Sequence, residues 1–418
     1  MSKTRANKPH REVTKHQLSH WEQQKKRQRF IFITGVSIIA AALIIVGIGW
    51  YFSLYKPMNQ TVIRVNDTSF NMSYYIKMLK YYGKDSPDYY MTYVASQVVS
   101  VIQQNELITQ NAGALGISIS DDEVENDRKS RNPPLSKDYR DMVRAEILTK
   151  KLLSDYFDPQ VPASAEQRHI IAMLLESESQ ASEVRARLEA GENFAELADE
   201  LSLDSYSKSN EGDFDWRPKD ILPLLVDTPV LEEQAFTSET DVLSLPIYDA
   251  EKTKNVGYWI VKVLERGKED EEGTDHIQAI LLGSEEEASE VRARLEAGED
   301  FAELAKELSQ HTTAENGGDL GWLSPGMIGS PVDDFAFNDE IEPGTLSEPL
   351  RDEAFTTKGG YWLFKVLGIE EREIAGENRD ILKANLFEEW VKSLWDNPEN
   401  IIESYLDGTK IAWALERV

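Results

Sequence analysis

The sequence predicts an α+β protein. Two tandem copies of a small domain, each an antiparallel sheet with packed helices, follow a helical region and one N-terminal transmembrane helix. Three observations carry this prediction. Residues 181–202 (ASEVRARLEAGENFAELADELS) and 288–309 (ASEVRARLEAGEDFAELAKELS) are nearly identical at an offset of 107. Strand and helix patterns around them recur in one order. Phe30 to Leu54 is an uncharged, mostly apolar run.

That run is long enough for a helix to cover the ~30 Å hydrocarbon core of a bilayer with some tilt. Lys25, Lys26, Arg27 and Arg29 abut its near end, and Trp50, Tyr51 and Tyr55 lie at its far end, where an aromatic belt belongs. The positive-inside rule then predicts a basic cytoplasmic tail (1–29), a transmembrane helix (30–54) and an extracytoplasmic remainder on the cell membrane. A cleaved signal peptide fits less well, because the run is too long and no small-x-small site follows it closely. His10, His16 and His20 in the tail do not make a metal-site spacing, and no metal or cofactor is expected.

The formal charge of the 418-residue chain is −29, although residues 1–30 hold nine Lys/Arg against two Glu. The body is therefore strongly acidic and would repel phosphate, so nucleic acid is not an expected partner. There are no cysteines, which excludes disulfides, thiol catalysis and Cys-ligated zinc. Neither a G-x-S-x-G nor an H-E-x-x-H motif is present, which argues against proteolysis.

A period of 107 is too long for a solenoid and is the size of a whole domain. In the second copy, His276 to Leu282 reads as a strand and Glu285 to Ala297 as a helix, with Gly298 suited to its C′ position. Phe301, Leu304, Ala305 and Leu308 then space a second helix. Gly317-Gly318-Asp319 reads as a turn, Gly321 to Leu323 as a strand, Val332 to Phe337 as a short helix and Tyr361 to Leu367 as a closing strand. The order is β-α-α-β-α-β.

This order and its motifs resemble the parvulin family of peptidyl-prolyl isomerases. The second copy reads DHIQAILL, DFAELAKELS, GGDLGWL, GMIGSPVDDFAF and GYWLFKV; the first reads RHIIAMLL, NFAELADELS, EGDFDW, LEEQAF and GYWIVKV. The resemblance implies two parvulin-like domains at 165–267 and 273–370, proline-containing or unfolded polypeptides as partners, and isomerisation of X-Pro bonds. That reaction crosses a barrier of ~18–20 kcal/mol and needs neither nucleophile nor metal. It needs an apolar grip on the proline ring and polar groups that favour the twisted amide.

The family's apolar pocket maps onto Phe214, Leu222 and Leu231 in the first copy and onto Leu320, Ile328 and Val332 in the second, with Phe337 beside them. The same side chains would equally serve as filling for a small core. The family's polar set is two facing His plus an Asp or Cys. Its first His maps onto His169 and His276, and its Asp/Cys position onto Asp204 and His311. Its second His is replaced by Trp259 and Trp362, so a family-type His–His network cannot form in either copy. Indole donates one hydrogen bond and does not titrate. Two function classes therefore stand side by side: an isomerase with chaperone character, and a chaperone whose parvulin folds bind clients without turning them over. Asp213 and Asp319 are expected to cap their turns.

Residues 57–160 read as a short strand and turn (Val62 to Asp67) followed by helices over Tyr89–Leu115, Asp121–Lys129 and Tyr139–Tyr156, resembling the helical chaperone region of periplasmic foldases. Asp158 to Ser164 and Lys268 to Thr274 are expected linkers. Residues 376–418 carry Phe387, Trp390, Val391 and Leu394 on one helix face. This face is expected to pack back on the N-terminal helical region, or alternatively to bind a client or a second chain.

Overall fold

The computed structural model describes residues 15–267 and 274–418. The tail up to residue 14 and most of the second expected linker lie outside the described residues. The chain forms two compact units, residues 1–156 with 387–418, and residues 157–386.

In the first unit, helix α1 (Lys15–Trp50) runs through a π-helical turn, Tyr51–Tyr55, into Lys56–Asn59. Its apolar side chains from Phe30 to Phe52 are mostly exposed, and one stretch, Lys25–Asn59, is long and apolar enough to cross a membrane. Strands β1 (Thr61–Val65) and β2 (Thr68–Asn71) form a hairpin. Asn66 turns it at φ 53°, a region that Asn tolerates better than most residues. Helix α2 (Met72–Tyr82) is capped by Asn71, whose side chain accepts from Tyr74 N at 2.9 Å. Helices α3 (Met91–Asn111), α4 (Asp121–Ser130) and α5 (Arg140–Lys151) follow, α4 opening on a Ser120–Glu123 capping box. Val62, Ile63, Tyr75, Leu79, Val98 and Met142 build the core. The C-terminal residues join it: Ile402–Ser404 pairs with β1, Ala414 enters the core, and Leu394 packs on Val65 and Leu107.

The second unit holds two four-stranded antiparallel sheets. Its strands are β3 (Ser164–Leu175), β4 (Asp213–Pro218), β5 (Ile247–Lys254), β6 (Gly257–Arg266), β7 (Asp275–Leu282), β8 (Asp319–Leu323), β9 (Leu350–Asp352) and β10 (Thr357–Glu373). Their order is β4-β3-β10-β5 in one sheet and β8-β7-β6-β9 in the other.

The two sequence copies have therefore exchanged their closing strands. The GYWIVKV strand of the first copy, β6, pairs with β7 and β9 of the second. The GYWLFKV strand of the second, β10, pairs with β3 and β5 of the first. The closing strand of each copy therefore does not pair within its own copy, contrary to what the β-α-α-β-α-β order leads one to expect. Residues 256–352 make one contiguous sheet module inserted into the other, which is assembled from the segments on either side. Only eight residues separate the paired ends Arg266 and Asp275. A local β6–β7 hairpin closes a much smaller loop than pairing β7 with the distant β10 would. The exchanged strands pass each other at Gly257, where an added Cβ would lie 2.6 Å from Leu281 Cδ1 and 2.9 Å from Thr357 Cγ2.

Each sheet is covered on one face by the repeated helices, α6 (Glu178–Glu189) and α7 (Phe194–Leu201) on the first, α8 (Glu285–Glu296) and α9 (Phe301–Leu308) on the second. The other face of each carries the apolar cluster expected of a proline pocket.

Candidate functional site

The pocket face of the first sheet is set by strand alternation. On β3 it carries Ile170, Ala172 and Leu174, and on β10 Trp362, Phe364 and Val366, with Ala172 directly opposite Phe364. Phe214, Leu222, Val226 and Leu231 complete the cluster. On the second sheet the same face carries Ile277, Ala279 and Leu281 from β7 and Trp259, Val261 and Val263 from β6, joined by Leu320, Ile328, Val332, Phe337 and Phe355. The two Trp residues are thus transposed with respect to the sequence expectation. Trp259 sits in the second pocket and Trp362 in the first.

His169 and His276 do not belong to either pocket. His169 Nε2 meets Asp213 Oδ1 at 2.9 Å and its ring lies 5.6 Å from Trp216. His276 Nε2 meets Asp319 Oδ1 at 2.8 Å and stacks on Trp322 at 5.4 Å. Both imidazoles lie one residue out of phase with the pocket-facing positions of their strands, so they project to the helix-covered side. The same Asp oxygens cap their turns, accepting from Asp215 N at 2.7 Å and Gly321 N at 2.8 Å. Burial pushes the Asp319 carboxyl up, but the Gly321 N–H and His276 outweigh it and hold its pKa below the ordinary value. These His–Asp–Trp sets tie the first two strands of each copy together.

Asp204 and His311 do reach the pockets, in different company. Asp204 caps the short helix Ser205–Ser209 through Ser207 N at 2.7 Å, and its other oxygen takes Lys252 Nζ at 2.8 Å. Lys252 also donates to Val226 O at 2.7 Å and lies 5.9 Å above the Trp362 ring. Both charged side chains are almost wholly buried. The Trp362 indole donates to Asp249 at 3.0 Å. In the second pocket the equivalent positions hold His311 and Phe355, and the Trp259 indole donates to Asp352 at 3.1 Å. Trp259 meets His311 edge-on at 5.2 Å and Phe355 at 5.0 Å. A buried ion pair in one pocket is replaced by an aromatic trio in the other.

Exposure separates the two further. Phe214, Leu222, Leu231 and Trp362 are each at most 1% exposed, so the first pocket is filled by its own lining. In the second, Trp259 and Val332 form a fully buried floor, while Leu320, Ile328, Phe337, Phe355 and His311 remain partly accessible and Met327 beside them is 65% exposed. Sequence reading missed Lys252, Asp249, Asp352 and Phe355. The signal was available in the paired segments around Asp249 and Asp352, each just before a GYW strand. Among the described residues no cluster suits a metal ion.

Comparison with known proteins finds the two sequence copies as two matches to one family. The Rotamase family, described as a PPIC-type PPIASE domain, matches residues 169–265 and 275–368. The foldase protein PrsA of Geobacillus kaustophilus is 39% identical over 102 residues, 24% of this chain and 34% of its own length. The chaperone SurA of Nitrosococcus oceani is 27% identical over 375 residues, covering 84% of this chain and 78% of SurA. The chain thus spans about a third of the PrsA relative but most of the SurA relative. Among solved structures, peptidylprolyl isomerase PrsA from Bacillus anthracis covers 76% of this chain at 14% identity with a TM-score of 0.30, too low for a shared arrangement to be read from it.

Proposed function

We propose that this chain, which carries two PPIC-type peptidyl-prolyl isomerase domains, is a membrane-tethered foldase that isomerises X-Pro bonds of unfolded polypeptide clients in its second pocket. The carrying observation is the contrast in accessibility: the second pocket presents partly exposed Leu320, Ile328 and Phe337 above a buried Trp259 floor, whereas the first is sealed. A proline ring needs such an apolar recess, and a filled one offers no binding energy. The first copy then serves as a scaffold, locked by Lys252 and Asp204. The exposed apolar surface of α1, followed by Trp50, Tyr51 and Tyr55, supports a single membrane span with the tail in the cytoplasm and the folded units outside.

A second reading, client binding without turnover, draws on Trp362 in the first pocket and Trp259 in the second standing where the family has His. One assay separates them. The full chain in detergent micelles is expected to accelerate protease-coupled isomerisation of a short X-Pro peptide. Ile328→Glu should abolish the acceleration and His169→Ala should leave it intact. Acceleration that survives Ile328→Glu but dies with His169→Ala would remove the second-pocket assignment. No acceleration, with aggregation of an unfolded client still suppressed, would establish the binding module.

A further inference from the structure

The two pocket faces are built on matched frames. In the first sheet the facing pairs from β3 and β10 are Ile170 with Val366, Ala172 with Phe364 and Leu174 with Trp362. In the second, β7 and β6 supply Ile277 with Val263, Ala279 with Val261 and Leu281 with Trp259. Five of these six positions carry the same residue in both sheets, and Phe364 against Val261 is the exception. The frames are also anchored alike. Ala172 N donates to Gly212 O at 2.8 Å, and Ala279 N to Gly318 O at 2.9 Å. Each closing strand is held by its indole, Trp362 on Asp249 at 3.0 Å and Trp259 on Asp352 at 3.1 Å. On the sheet side, the two pockets therefore differ in the volume of one side chain.

Alanine leaves the space above the middle of each sheet to the residue beside it on the closing strand. Phe364 puts a benzyl group there, 1% exposed, and the first pocket is full. Val261 puts an isopropyl group there, and a recess remains beneath the partly accessible Leu320, Ile328 and Phe337. Val261 is itself out of solvent, so it sets the depth of the recess and not its mouth. An apolar recess discriminates by size, and one methylene too many costs about 10- to 200-fold. We propose that Val261, a residue of the first sequence copy, is the specificity-determining residue of the second pocket: it sets a depth that admits the pyrrolidine ring of proline and turns away larger rings. The strand exchange is then what opens this pocket. A second copy closed by its own strand would bring Phe364 opposite Ala279 and carry the filled arrangement of the first sheet. This rests on the client-binding role proposed for that pocket.

Isothermal titration of the full chain in micelles compares three short peptides that differ at one position, which holds proline, alanine or pipecolic acid, whose ring is one methylene larger. Wild type should prefer proline to pipecolate by about tenfold or more. Val261→Ala should deepen the recess and narrow that preference to within about threefold, with the alanine peptide still weak. Val261→Phe should weaken binding of the proline peptide by at least about tenfold. Slow amide hydrogen exchange over residues 275–282 should show its sheet still formed, because the fold already holds an Ala–Phe pair in the first sheet. An unchanged preference in Val261→Ala overturns the sizing role, whether or not Val261→Phe folds. So does equal weakening of all three peptides, which a merely structural residue would give, and so does a wild type indifferent to ring size. In each of these cases, loss of proline-peptide binding in Ile328→Glu leaves the second-pocket reading intact. Ring selectivity without acceleration removes the isomerase reading and upholds the sizing role. A wild type that binds no proline peptide removes both.

Discussion

Replacing Lys252 with Phe, the residue found at the matching place in the second pocket, isolates the contribution of the buried ion pair. The ammonium holds Asp204 at 2.8 Å and Val226 O at 2.7 Å, with both charged side chains almost wholly out of water. Removing it strands a carboxylate in an apolar cluster and leaves a carbonyl without its donor. A buried charge deprived of its partner costs about 3–5 kcal/mol. The middle of that range, about 4 kcal/mol, is the working figure. The chain has two compact units, so a single unfolding midpoint is a poor readout. Amide hydrogen exchange of the peptide spanning residues 164–175, the central strand of the first sheet, reports the local opening energy directly. At 1.4 kcal/mol per decade, Lys252→Phe should speed that exchange by about three decades. Adding Asp204→His, which copies the second pocket's His–Phe pair, should return most of the protection, a coupling of at least about 2 kcal/mol. Exchange within threefold of wild type in the single mutant would show that the ion pair does not lock the first sheet, and the scaffold role would fall with it.

The strand exchange itself is open to cross-linking. Glu166 and Glu371 are opposite partners on β3 and β10, both exposed, in a chain without cysteine. Glu166→Cys with Glu371→Cys should form an intrachain disulfide on mild oxidation, seen as a gel shift reversed by reductant; no bond would favour each copy closing its own sheet. Trp259→Phe removes the indole bond to buried Asp352 and should weaken peptide binding although Trp259 belongs to the first sequence copy. Trp362→Phe should leave binding unchanged, and fluorescence titration compares the two. Lys254 is buried against Lys358 O and Gly359 O, and burial lowers its pKa to about 8 against the pull of Glu287 and Glu176. Between pH 8 and 10 the unfolded chain binds this proton more tightly than the folded one, so this group makes the fold more stable as pH rises through that window. The rise should disappear in Lys254→Met, as read by urea titrations at pH 8 and pH 10.

Most elements were legible because the repeat displayed each pattern twice. The helix Glu285–Glu296, the Gly298 stop and the Phe301–Leu308 helix stand within a residue of their expected limits. The exchange was not legible for a related reason. GYWIVKV and GYWLFKV carry the same glycine, the same indole and the same apolar alternation, so either strand completes either sheet and the pattern holds no partner preference. Pairing was decided instead by the short connection between Arg266 and Asp275. The misplaced histidines have a separate origin. Ile170 to Leu175 is apolar on both faces because helices cover one side and the pocket the other, so alternation gives no parity. A histidine at the head of such a run has no readable face, and its Asp partner in the turn settles the matter only in three dimensions. Exposure, which distinguishes the two pockets, is a property of packing that no single position encodes.

Insertion of one sheet within another also fixes an order of events during synthesis. Strand β3 leaves the ribosome early, yet its partner β10 begins at Thr357, after the whole inserted module. At ~5–20 residues per second the interval is on the order of 10–40 s. Through that time the first sheet has an unpaired central edge, the kind of surface that recruits foreign strands. The inserted module meets no such delay, because residues 256–352 contain every strand it needs. The strands of the inserted sheet are thus complete while the first sheet still waits for closure.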